Sequence, residues 1–298
     1  MKFLITGGTG FIGTALCRDL ISEGHELTIK TRQASLVTSS YRAVSSFNEL
    51  ASSDEFDIVI NLAGEPIADK RWTSSQRMKI LNSRIETTRE LIDFLKVTVK
   101  KPCVLISGSA VGFYGIEPVM GTVDENGSPD HSFASEVCST WESIALEAEA
   151  LGIRTCLLRL GVVLGSQGGA LKKMLLPFKL GLGGKFGSGQ QWMSWVHIND
   201  VVGIIKFAIE TKNISGPINC TAPNPVTNEY FTKALGKSLN RPTIFNMPSS
   251  VLKILFGAMG KELLLEGKQI VPSKLLESGY KFQFSSLDAA LAELNQKS

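Results

Sequence analysis

Near its start the chain runs from an apolar strand, Phe3-Leu4-Ile5, into four closely spaced glycines: Gly7, Gly8, Gly10 and Gly13. A helical pattern follows, with Ile12, Leu16 and Leu20 on one side. Strand, glycine turn and helix in that order form a dinucleotide cradle. Gly7 and Gly8 permit a sharp turn, Gly10 lets a pyrophosphate approach the backbone, and Gly13 lets the helix pack closely on the strand. The helix N-terminus offers unpaired N–H groups to the phosphates. The candidate cofactor-binding residues here are Gly7, Gly8, Thr9, Gly10, Phe11, Ile12 and Gly13.

The helix is expected to end near Glu23, with Gly24 as a left-handed cap. His25 to Thr31 then alternates like a second strand. NAD-binding chains place an acid about 20 residues beyond the glycines, where it holds the ribose 2′-hydroxyl. Here Lys30, Thr31 and Arg32 occupy that stretch, and no acid is near. A guanidinium suits a 2′-phosphate. The expected cofactor is therefore NADP(H), with Thr31 and Arg32 at its 2′-phosphate. The other reading of Arg32 is a solvated charge at a strand end.

Strands and helices alternate through the first two thirds of the chain. Asp57 to Gly64 reads as a buried strand, Cys103 to Ser107 as another and Arg154 to Leu160 as a third. Helices are expected at about Ser83 to Val97, with Thr88, Leu91, Ile92 and Leu95 on one face, and at about Ala134 to Leu151. This order predicts an α/β fold: a Rossmann-type doubly wound parallel sheet. Ligands of such sheets lie at the carboxyl ends of the strands. That adds Leu62, Ala63, Gly64 and Ser107 to the cofactor set. After Gly161 the texture changes to glycine-rich connections, with a short helix around Leu171 to Leu180. The division read from this is a cofactor domain over residues 1–165, rejoined by 190–222. A smaller substrate-side domain takes residues 166–189 and 223–298.

The 298 residues carry a net charge of +3 with interspersed signs, which gives no pointer to nucleic acid or an anionic membrane. Five scattered cysteines fit reduced thiols of a cytoplasmic protein, and three scattered histidines give no metal site. There is no secretory leader pattern and no apolar run long enough to span a bilayer.

Several stretches together resemble the extended short-chain dehydrogenase/reductase superfamily. They are Gly7 to Gly13, Asn61-Leu62-Ala63-Gly64, Ser107-Gly108-Ser109 with Phe113-Tyr114-Gly115, Leu158-Arg159-Leu160-Gly161 and Val196 to Val201. The likeness is greatest to the YfcH-like branch of nucleoside-diphosphate-sugar epimerase relatives. Its further marks are Arg71-Trp72, Ser83-Arg84, Val137 to Glu142, Gln190 to Trp195 and the tail Gly267 to Leu275, which resembles that branch's C-terminal domain of unknown function. The resemblance implies a small-molecule substrate, such as a sugar nucleotide or a small carbonyl or hydroxyl compound. It also implies, without direct support from the residues, pairing into a homodimer.

One departure matters for chemistry. Superfamily enzymes carry Tyr-x-x-x-Lys on the helix after the serine strand. With Glu142 set against the family's helix acid, Ala134 and Cys138 stand at those positions; a shift of one residue puts Phe133 and Val137 there. Neither offers a proton donor. Ser109 and Tyr114 are the substitute catalytic candidates. Ser109 either orients a substrate oxygen or closes a strand-end turn. Tyr114 either folds over the nicotinamide or packs in its loop. Glu65, Arg84, Trp192 and Trp195 are substrate-binding candidates; Arg71, Lys172 and Lys173 offer charge for an anion. His197 reads better as a structural imidazole. Three functions remain open: an NADP(H)-dependent epimerase or oxidoreductase, a non-catalytic NADP(H) sensor, and an interaction protein in cell division.

Overall fold

The computed structural model describes residues 1–32 and 40–296. In chain order the first half comprises β1 (Lys2–Thr6), α1 (Phe11–Ser22), β2 (Glu26–Lys30), β3 (Arg42–Val44), β4 (Ile58–Asn61), α2 (Ser74–Val97), β5 (Val104–Ala110), β6 (Thr122–Val123) and α3 (Phe133–Leu146). Next come β7 (Arg154–Leu160), β8 (Val162–Gly165), α4 (Gly169–Lys179), β9 (Trp192–Met193), β10 (Trp195–His197), α5 (Ile198–Glu210) and β11 (Gly216–Cys220). The remainder is β12 (Val226–Thr227), α6 (Asn228–Ser238), α7 (Ser249–Phe256), α8 (Ala258–Gly260), β13 (Gln269–Ile270), α9 (Ser273–Glu277) and α10 (Leu287–Gln296).

Seven strands pair in the order β11-β7-β5-β4-β1-β2-β3, and every pairing is parallel. The period-2 alternation of each strand sends its apolar residues to both faces. Phe3, Ile5, Ile58 and Ile60 pack with Leu16 and Leu20 of α1 and Ile204 and Ile205 of α5. Leu4, Val59 and Leu105 pack with Leu91 and Leu95 of α2 and Ile144 of α3. Helices therefore cover both faces, as a buried parallel sheet requires. The strand order reverses between β1 and β4. The crevice at their carboxyl ends is where such sheets bind ligands.

A separate core joins α4, α6 and α10 through Leu171, Phe178, Phe231, Leu235, Leu291 and Leu294, with Trp195 of β10 among them. The C-terminal stretch is tied back to the earlier chain at two places. Asp200 on α5 accepts backbone N–H bonds from Gln283 at 2.8 Å and Phe284 at 3.0 Å. β13 pairs in parallel with β6.

Two helix bounds differ from the sequence expectation. α2 begins nine residues before Ser83, at Ser74, where the Thr73 hydroxyl caps it by accepting the Gln76 N–H at 3.2 Å. Its early turns bury little besides Gln76 and Ile80, so their polarity hides the helical period. α3 starts at Phe133, and its regular part stops at Leu146. A tighter 3₁₀ turn continues to Leu151, ending on left-handed Gly152. Among the described residues no helix is long and apolar enough to cross a membrane.

Candidate functional site

The glycine turn is packed too tightly for side chains. Gly7 has φ +72°, and a Cβ there would lie 2.6 Å from the Leu62 carbonyl carbon. A Cβ on Gly13 would lie 2.2 Å from the Gly7 carbonyl oxygen, so the first turn of α1 rests on the glycine backbone itself. Gly10 is the N-cap residue, no side chain caps α1, and its first turn holds no acid. The orphan N–H groups and the helix dipole there suit an anion. Thr9 and Gly10 are exposed. The Phe11 ring is engaged elsewhere: a Cβ on Gly168 would fall 2.6 Å from its Cδ2. The Ile12 side chain packs on the sheet core. These two residues therefore have their backbone to offer.

Around this turn Arg32 is exposed beyond the end of β2, and Thr31 is buried. Residues 33–39, which follow, lie outside the described residues. Leu62 and Ala63 are held against β1: the Leu62 N–H donates to the Thr6 carbonyl at 3.0 Å and the Ala63 N–H to the Thr6 hydroxyl at 3.3 Å. Gly64 is exposed. Beneath them runs a buried polar network. Thr6 donates to Asn61 Oδ1 at 2.6 Å, Asn61 Nδ2 donates to Thr88 at 2.9 Å and to Ser107 at 3.4 Å, and Trp141 Nε1 donates to Thr88 at 3.0 Å. Ser107 is thus fully buried, bonded to the strand network.

A second polar cluster lies under β5 and β7. Ser109 donates its proton to Glu142 Oε1 at 2.6 Å. Arg159 grips the same carboxylate from Nε and Nη2, both at 2.9 Å. Arg159 Nη1 also donates to the Tyr114 hydroxyl at 2.9 Å, and that hydroxyl donates to Asn219 Oδ1 at 2.6 Å. Tyr114 is 1% exposed. Burial pushes its phenol up to about 12 despite Arg159 beside it. Its hydroxyl is a buried strut between β7 and β11. Ser109 has its one proton committed and retains acceptor capacity.

The α3 positions without proton donors face the same region. A Cβ on Gly112 would lie 3.1 Å from Ala134 Cβ and 3.8 Å from Cys138 Sγ. Burial, with help from Glu142, pushes the Cys138 thiol up to about 11, so it is neither a thiolate nucleophile nor a cation at neutral pH. Arg84 enters from α2. Its Nη1 donates to the carbonyls of Glu65 at 3.1 Å and Ile80 at 3.0 Å, and the guanidinium lies 5.2 Å from the centre of the Trp141 ring. Burial lowers its pKa, opposed by Cys138 and Glu65. A Cβ on Gly64 would lie 3.0 Å from Arg84 Cζ, which brings Arg84 to the mouth of the cradle.

The two candidate tryptophans part company. Trp192 lines a cavity beside α3, whereas Trp195 is fully buried and donates Nε1–H to the Asn224 carbonyl at 3.0 Å. His197 caps α5 by accepting the Asn199 N–H at 3.2 Å and packs 4.0 Å from the Phe284 ring centre, a structural placement. Lys172 and Arg71 are exposed, and Lys173 pairs with Asp69. Sequence reasoning missed Glu262 and Lys268, which line the same cavity as Trp192. It also missed the Glu142–Arg159 pair. An arginine inside the apolar run of β7 was the available signal for that pair.

A doubly wound sheet with a glycine cradle at its switch point is the fold of the short-chain dehydrogenase/reductase class. Residues 3–220 match the NAD dependent epimerase/dehydratase family, and residues 247–294 match a domain of unknown function, DUF1731. The chain belongs to the NAD dependent epimerase/dehydratase family. Epimerase family protein YfhF of Bacillus subtilis is 38% identical over 299 residues, spanning 99% of this chain and 98% of its own. The human epimerase family protein SDR39U1 is 37% identical over 300 residues, spanning 99% of both. A crystal structure of the human protein (isoform2) with NADPH superposes with a TM-score of 0.89 at 36% identity over 100% of both chains. UDP-glucuronic acid 4-epimerase of Bacillus cereus shares the fold, with a TM-score of 0.78 at 20% identity over 99% of this chain and 98% of its own.

Proposed function

We propose that this protein binds NADP(H) in its glycine cradle and interconverts a hydroxyl and a carbonyl on a small substrate held beside α3. Arg32 carries the cofactor reading: it stands exposed at the end of β2, beyond a helix N-terminus that no side chain caps. The tight backbone of Gly7 and Gly13 fits the reading, because a Cβ at either would collide with the Leu62 or Gly7 backbone and push the turn apart. The human relative crystallised with NADPH supports it further.

In this reading the N–H groups of Phe11, Ile12 and Gly13 hold the pyrophosphate, Arg32 holds the 2′-phosphate, and Leu62 to Gly64 form the opposite wall. The bound cofactor would supply or accept a hydride, and the matching proton would pass between the substrate oxygen and Lys268, which lines the cavity beside α3. Ser109 donates its hydroxyl proton to Glu142 Oε1 and so ties the end of β5 to α3. Arg84 holds a fixed positive charge at the cradle mouth, near the Cys138 position that lacks a lysine. Glu65 and Trp192 complete the substrate side.

The direct test is titration with NADPH and NADH, followed by nicotinamide fluorescence. Saturable binding with strong preference for NADPH is expected. Equal affinity for both would remove the 2′-phosphate role of Arg32, and binding of neither would remove the cradle's function.

A sensor without turnover is the second reading. Commitment of the Ser109 and Tyr114 hydroxyls to internal partners favours it. Tight NADPH binding with no oxidation of the cofactor by any carbonyl compound would select it.

A further inference from the structure

The cavity against α3 holds about 200 Å³ and is partly open to solvent. A dry cavity of roughly 150 Å³ takes a benzene-sized molecule, and sites for drug-sized ligands run to roughly 300–1,000 Å³. This chamber is therefore on the scale of one substituted ring. Much of its wall is apolar, supplied by Ala134, Met174, Trp192, Leu263 and Ile270.

The charged side chains that reach it all follow α8. Glu262 Oε2 accepts the Ala134 N–H at 3.1 Å, which seats its carboxylate at the start of α3, where one of the two alignments sets the superfamily tyrosine. Lys268 is fixed by its own backbone. The Ser194 hydroxyl donates to the Lys268 carbonyl at 3.0 Å and accepts the Ile270 N–H at 3.0 Å. Its ammonium donates to the Tyr114 carbonyl, which leaves two N–H bonds for another acceptor. Burial lowers the Lys268 pKa, against the opposing pull of Asp130 and Glu117.

We propose that this chamber holds the body of the substrate and that it takes a small, mainly hydrocarbon ketone or aldehyde, or the matching alcohol, with its oxygen on Lys268. The proposal rests on the cofactor reading above and narrows its substrate from two classes to one. A sugar nucleotide brings a diphosphate, which calls for several cations. The chamber offers Lys268 alone as a cation, and Glu262 and Glu266 line it too. An apolar body with one acceptor oxygen brings no negative charge to meet those acids and takes up the free donors of the one cation.

Saturation-transfer NMR on the full chain with NADPH present tests this, with acetophenone and ethylbenzene as matched probes and UDP-glucose as competitor. Acetophenone is expected to bind several-fold tighter than ethylbenzene. Lys268→Met should cut that preference at least fivefold, while NADPH affinity stays within twofold. Met174→Trp, or Leu263→Trp if the first fails to fold, should expel both probes and leave NADPH affinity intact. Displacement of acetophenone by UDP-glucose would overturn the proposal, as would probe binding unaffected by either kind of substitution. NADPH binding with neither probe bound would also overturn it while sparing the cofactor reading. Probe binding without NADPH binding would do the reverse.

Discussion

Glu142 and Arg159 form a two-pronged ion pair between α3 and β7, with side chains 6% and 4% exposed. The pair survives burial because nearly every polar atom is used: Glu142 also takes the Ser109 proton, and Arg159 also reaches Tyr114 and the Glu125 carbonyl. Removing one partner strands the other charge, which costs about 3–5 kcal/mol. Glu142→Gln should therefore lower the thermal midpoint by roughly 10 °C. A shift under about 2 °C, on the same scale, would mean that the pair contributes no net stability.

Arg32→Ala should weaken NADPH binding by about 10- to 100-fold, the range of one charge-assisted contact of about 1.5–3 kcal/mol. NADH affinity should stay nearly constant. Fluorescence titration of both nucleotides reads the difference, and parallel losses would place Arg32 away from the 2′-phosphate.

Two glycines separate crowding from backbone strain. Gly13→Ala puts a methyl 2.2 Å from the Gly7 carbonyl oxygen, so cofactor binding should be lost and stability should fall by about 1–3 kcal/mol. Gly24→Ala meets nothing within 4 Å and carries only the penalty of φ +78°, about 1–2 kcal/mol. NADPH affinity should survive the second change and not the first, which calorimetry can check.

Tyr114→Phe removes a buried hydroxyl that bridges Arg159 and Asn219. A loss of about 1–3 kcal/mol is expected, with NADPH binding unchanged. If an assay for turnover exists, its rate should persist in this variant. Abolished turnover in a fully folded variant would return Tyr114 to the chemistry.

Acid should loosen one wall of the chamber. Burial raises the Asp130 carboxyl, but bonds from the Ser132 hydroxyl and from the N–H groups of Ser132, Glu117 and Ile116 outweigh it and hold the pKa at about 2. A carboxyl depressed below its ordinary value of about 3.9 contributes stability above that pH. That contribution fades as the pH falls toward 2. Ile116, one of its donors, lines the chamber. Denaturant midpoints between pH 5 and pH 2 should fall less steeply in Asp130→Asn than in the parent chain, by of order 1 kcal/mol after solvent screening. Identical slopes would show that other carboxylates govern the acid limb.

Legibility in the sequence followed the range of the interactions. The glycine turn, the strand alternation and the buried stripe Thr88, Leu91, Ile92 and Leu95 are local patterns, and each appears in the structure. The long-range pairs are not local patterns. Glu262 meets Ala134 across 128 residues, and Tyr114 meets Asn219 across 105. No periodicity marks Glu262 or Lys268, because Glu262 sits in a single helical turn over Lys261–Leu265 and Lys268 in the short connection before β13. Trp192 and Trp195 look equivalent in sequence, yet they fall on separate short strands, β9 and β10, with one at the cavity and the other in the α4–α6–α10 core.

The late position of Glu262 and Lys268 orders events during synthesis. The glycine turn, Arg32 and the β4 wall leave the ribosome first, but the sheet face that carries them is covered only once Ile204 and Ile205 of α5 have followed. The chamber cannot close until β13 has paired with β6 and Asp200 has taken its bonds from Gln283 and Phe284. A chain cut short before Glu262 would therefore lose Leu275 from the sheet core together with the residues that line the chamber.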